Sequence, residues 1–141
     1  MLAVDVIKQI FSETNWEFST VTLYGKEAFV VDFDVYQVTF AALHDEELYL
    51  SCKLCKVDDS EDTIDLLKNA CSHLMSIWKD HRLNVAIEGN SLILERVIKI
   101  NTENAIDATE KFLDDCDWYT QNVIKKEPLA GFDVFAQGVL P

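Results

Sequence analysis

The sequence predicts an α+β domain: a mostly antiparallel sheet of five strands, or slightly more, with three helices in the order α-β-β-β-α-β-β-α. Three observations carry that expectation. Runs with period-two apolar alternation come in groups separated by turn-length gaps, stretches with helical apolar spacing punctuate those groups, and the turns carry Gly and Asn as tight hairpins require. With 141 residues, 49% of them hydrophobic, the chain can build one core but not two comfortable ones, so a single domain is expected over residues 1–127, followed by an apolar tail, 128–141.

From Leu2 to Thr14, Val6, Ile7, Ile10 and Phe11 recur at helical spacing, and Asp5 sits in the first turn, where the helix dipole favours a carboxylate. The next stretch, WEFSTVTLYGKEAFVVDFDVYQVTFAALHDEELYLSCKL, is rich in aromatic and β-branched residues, with turn chemistry at Gly25, at Asp32 to Asp34 and at His44 to Glu47. At least three strands are expected there, Tyr36–Leu43 and Leu48–Leu54 being the clearest. The central helix follows in VDDSEDTIDLLKNACSHLMSIWKDHR, with Asp58 to Asp62 at its start and Lys79, His81 and Arg82 at its end. Ile64, Leu67, Cys71, Leu74 and Trp78 form one stripe, and Leu66, Ala70, Met75 and Ile77 widen it beyond a single core-facing seam. So broad a helix needs two surfaces to bury against, its own sheet and a second one that another subunit could supply. LNVAIEGNSLILERVIKI reads as a hairpin turning at Glu88-Gly89-Asn90, and a last helix, capped by Asn101 or Thr102, runs to about Lys126 before Pro128. Its inner stripe is Ala105, Phe112, Cys116, Tyr119 and Val123.

Cys52 and Cys55 have the C-x-x-C spacing of zinc ribbons and thiol oxidoreductases. In a strand over Glu47–Leu54, an offset of three sends the two side chains to opposite faces, whereas ligand or redox pairs need converging sulfurs. Cys52 is therefore expected to be a small core residue. The histidines, His44, His73 and His81, have no chelating spacing, and there is no Gly-rich phosphate loop and no nucleophile elbow. Neighbouring carboxylates such as Asp58 with Asp59, or Asp114 with Asp115, point about 100° apart on a helix and read as solvated charges. No catalytic residue, metal or cofactor is expected, and enzyme function is disfavoured.

Against 12 Lys and Arg stand 25 Asp and Glu, a net charge of -13, which repels nucleic acid and anionic lipid. Asp5 and Lys8 interrupt any leader-like N-terminus, and no apolar run approaches the roughly 20 residues of a membrane span. A cytoplasmic location is expected, with the cysteines as reduced thiols.

The arrangement resembles the class I effector chaperones of bacterial type III secretion, the Tir chaperone family. The likeness rests on FVVDFDVYQVTF, an apolar strand, acidic turn and Val-x-Phe strand; on ELYLSCKL, similar to a Leu-Tyr-Leu strand; on LNVAIEGNSLILERVI, similar to a hairpin with a Gly-Asn turn; and on Trp118 in the last helix. It covers about Val4 to Lys126. The stretch VTLYG before the first family-like strand and the tail after Pro128 depart from the pattern. The resemblance implies a secretion-chaperone-like fold and a bacterial, cytoplasmic homodimer paired through the central helix, with Leu67, Cys71, Leu74 and Trp78 at the interface. It further implies a virulence-related partner, a secreted effector whose N-terminal segment is held extended and passed to the secretion ATPase. Ile7, Phe11, Phe29, Val38 and Phe40 are then the candidate effector-binding patch. The plain alternative for each of these five is core, because a strand must send alternate residues inward whatever its function.

Two other readings compete with the chaperone. One is a non-secretory regulatory or stress-response module of the same fold. The other is a thiol or zinc protein using Cys52 and Cys55.

Overall fold

The computed structural model describes residues 2–33, 35–58 and 60–124, the side chains of 75–81 excepted. Helix α1 (Ala3–Thr14) is followed by strands β1 (Ser19–Leu23), β2 (Lys26–Asp32), β3 (Gln37–His44) and β4 (Glu47–Lys56). Helix α2 (Glu61–His81), strands β5 (Asn84–Glu88) and β6 (Ser91–Lys99), helix α3 (Ala105–Tyr119) and a π-helical turn (Thr120–Ile124) complete the order. The α+β class stands. The strands form one antiparallel sheet of six, ordered β1-β2-β3-β4-β6-β5, so the crossover through α2 carries the chain past β6 to the far edge.

Four strands precede α2, in keeping with the expectation of at least three, and β1 overlaps the VTLYG stretch that departs from the family-like pattern. Its Ser-Thr-Val-Thr-Leu composition suits an extended backbone, and Tyr24 (φ 51°) with Gly25 (φ 76°) makes the two-residue turn whose twist matches flanking strands. Gly89 (φ 62°) does the same between β5 and β6. In α1, Leu2 N–H donates to the Asp5 carboxylate at 3.2 Å, and Asn15 ends the helix in the left-handed region (φ 58°).

Helix α3 begins later than the sequence suggests. Its N-cap is Asn104, whose side chain accepts from Asp107 N–H at 3.1 Å, and not Asn101 or Thr102. Those two residues belong to the preceding turn, where Thr102 and Glu103 N–H groups donate to Lys99 C=O at 3.1 and 3.2 Å. The expected domain boundary at 127 and the tail 128–141 lie outside the described residues.

The core lies between one face of the sheet and the helices. Val38, Phe40, Leu48, Leu50, Cys52, Leu92, Leu94 and Ile98 are fully buried there, beneath Ile7 of α1 and Phe112, Cys116 and Tyr119 of α3. Ala28, Ala41 and Ile93 are buried on the opposite face, outside that cluster, in rows set by the pairings Ala28 with Ala41 and Ala41 with Tyr49.

Candidate partner-binding surfaces

The expected effector patch is brought together by the fold, and it is brought together as core. Ile7 is 1% exposed, Val38 and Phe40 0%, Phe11 8% and Phe29 9%. Phe11 is the hub. Its ring stacks on Phe18 at 4.7 Å and meets Phe40 and Phe29 edge-on at 5.1 and 5.8 Å, arrangements that add to simple area burial. The members that reach the surface are ones the periodicity argument passed over. Phe18 is 48% exposed although stacked, and half-buried Trp16 meets Phe33 edge-on at 5.0 Å. The signal was present in the aromatic density of Trp16-Glu17-Phe18, just ahead of β1. Between the end of α1 and α3, Ile10, Trp16, Ile106 and Leu113 line a recess of about 90 Å³ rimmed by Glu13 and Glu110. This corner of the molecule offers an apolar socket with an acidic margin.

A different surface is built by α2. Only Ala70 is fully buried among its described side chains; Leu66, Leu67, Cys71 and Leu74 are half-buried and Ile64 is 50% exposed. Of the expected interface residues, Leu67 and Leu74 pack on the core edge, and Cys71 lies close enough to Tyr119 to act on its ionisation. The side chain of Trp78 lies outside the described set. Tyr119 O–H donates to Ala70 C=O at 3.3 Å, which ties α2 to α3, and burial, Asp115 and Cys71 push its phenol up to about 12. Beside this tie, Trp118 is 42% exposed and meets His73 edge-on at 5.0 Å. On β5, Ile87 is 42% exposed at the sheet edge.

The cysteine pair needs a correction. The register slips between Lys53 and Cys55, so that Cys52 faces Leu94 and Cys55 faces Leu92, both on the helix-facing side. A β-bulge adds one residue to one strand and resets the alternation, which is why the two side chains do not take opposite faces. They remain about 10 Å apart along an extended strand, beyond the roughly 7 Å that a disulfide spans between Cα atoms. Cys52 is fully buried, as expected of a core residue, and its neighbour is Cys116 of α3; burial and the hydrogen bond between these thiols push Cys116 up. Among the described residues, no group of three His, Cys, Asp or Glu side chains could hold a metal ion.

One carboxylate also departs from the solvated reading. Asp115 is 7% exposed, and its charge helps raise the neighbouring Cys116 and Tyr119, while Asp114 is exposed. Tyr36 O–H donates to Asp117 at 2.9 Å, which ties the entry to β3 to α3, and burial followed by this bond raises the Tyr36 phenol. On the opposite sheet face, Tyr49 O–H donates to Glu95 at 2.6 Å and Asn84 donates to the same carboxylate at 2.8 Å. At the start of α2, Asp58 accepts from Ser60 N–H and Thr63 O–H, both at 2.9 Å, and hydrogen bonds from these residues hold its carboxyl below the usual range.

The helices thus lie on one face of a six-stranded antiparallel sheet. No protein-family model matches the sequence, and no curated protein matches it. Among solved structures, the chain is similar to one in the crystal structure of the ExsC-ExsE complex, with a TM-score of 0.50 and 10% sequence identity over 87% of this chain and 97% of that one. At that identity the likeness is one of fold. Among the described residues no helix is long and apolar enough to cross a membrane.

Proposed function

We propose that this chain is a class I, Tir-type chaperone of a bacterial type III secretion system, acting as a cytoplasmic homodimer without catalysis of its own. It holds the N-terminal segment of a secreted effector extended and passes it to the secretion ATPase. The observation that carries this reading is the fold itself, since the similar solved chain comes from a complex of two different proteins. The exposed ring of Phe18, with the recess beside Trp16, supports an apolar anchor site for the client, and edge strand β1 supports client strand addition. The acidic margin, within a chain of net charge -13, suits a basic client segment. The half-buried face of α2 supports pairing of two copies, with Leu67 and Leu74 in the seam.

The test is to capture the tagged full chain from its native bacterial cytosol, identify what is bound and size the complex. The expected result is a secreted protein bound through its N-terminal region to two copies of this chain. A monomer at micromolar concentration that retains no secreted protein overturns the reading.

A further inference from the structure

In a chain with 12 Lys and Arg and a net charge of -13, three basic side chains converge on one cleft of about 510 Å³. Arg82 follows α2, Lys111 lies on α3, and Arg96 comes from β6, where it stands in register with buried Leu50 at a position that alternation would give to an aliphatic residue. Arg96 is 5% exposed. One of its terminal nitrogens pairs with Glu103 and the other donates to Ala108 C=O at 3.4 Å, but its Nε has no acceptor among the described residues.

A buried guanidinium paired this way gives little more stability than an apolar residue of the same volume, so the fold alone does not call for it. What it faces does. The cleft also takes in Asn104, Asp107 and Ala108 in the opening turn of the fifteen-residue helix α3, where the positive end of the dipole lies. The carboxylate of Glu103 is engaged by Arg96 and by Lys99 N–H at 3.3 Å, which leaves Asp107 as the opposing charge in the cleft.

We propose that this cleft binds a compact oxyanion, a phosphate or carboxylate group, gripped by Arg82 and Lys111 over a floor formed by Arg96 and the start of α3. The site is independent of the aromatic corner and of α2 pairing. It gives a strongly acidic molecule one place where an anion is held.

The experiment is a titration of the full chain with inorganic phosphate, and separately with acetate, at constant ionic strength, followed by amide chemical shifts. Saturable shifts at Arg82, Asn104 and Lys111 are expected, and the exposed double substitution Arg82→Gln, Lys111→Gln should weaken the binding about tenfold or more. Tighter binding of phosphate identifies a phosphate group as the ligand; acetate binding as tightly or more tightly identifies a carboxylate. Shifts that never saturate with either anion, or an affinity unchanged in the double variant, overturn the proposal.

Discussion

The corner formed by α1, β2 and β3 and the helix α2 each carry a broad apolar face in sequence, yet the fold treats them differently. At the corner, Phe11, Phe29 and Phe40 interlock ring against ring and are at most 9% exposed, so the apolar surface is consumed within the chain. On α2, only Ala70 is fully buried among the described side chains, and Ile64 remains 50% exposed. The difference shows that a wide apolar stripe measures how much surface a helix must bury, not whether its own domain buries it.

Predictions that break or sharpen this contrast run from the interlocked corner outward. Phe40→Ala removes a fully buried ring and should cost about 3–5 kcal/mol in denaturant unfolding; a loss under about 1 kcal/mol would mean that the corner is not interlocked. Tyr36→Phe should cost about 1 kcal/mol, because Asp117 loses its phenolic donor.

The same phenols predict a pH dependence. The folded state raises Tyr36, Tyr49 and Tyr119, in each case first by burial. Their contribution is fully present below the unfolded tyrosine value of about 10 and is lost as pH rises above it toward the folded values. Thermal stability should therefore fall above about pH 10, and the fall should be shallower in Tyr36→Phe.

Phe18→Ala should cost only about 0.5–1.5 kcal/mol, since its stacked ring is half in solvent, while weakening client capture more than folding. The smallest effect on stability belongs to α2: Ile64→Ser should change unfolding by no more than about 0.5 kcal/mol. Light scattering on Leu67→Glu should report dissociated monomers that keep the wild-type circular dichroism spectrum. An unchanged mass would place the pairing surface elsewhere.

Much of the scaffold is legible in the sequence because it is written in local rules. Gly25 and Gly89 occupy positive-φ turn positions, the buried residues of α1 fall on one stripe, and Leu48, Leu50 and Cys52 of β4 all join the core. Where those rules fail, a neighbouring strand or helix has intervened. The bulge between Lys53 and Cys55 is a property of the β4–β6 ladder, and composition marks no extra residue there. Asp115 reads as a solvated carboxylate until α3 is laid against the sheet, and Arg96 reads as a strand charge until Glu103 and Ala108 close over it.

The sequence by itself determined the α+β class, the helical stripes and the turn chemistry of two hairpins, because periodicity and φ preferences act over a few residues. Tertiary structure alone decided which apolar residues are spent and which are left over. Phe40 is sealed by the rings of Phe11 and Trp16, Phe18 in the same cluster stays half in water, and Ile64 on α2 stays half exposed. Periodicity ranks the faces of an element, but exposure depends on what lies opposite, and that is settled only when distant segments pack.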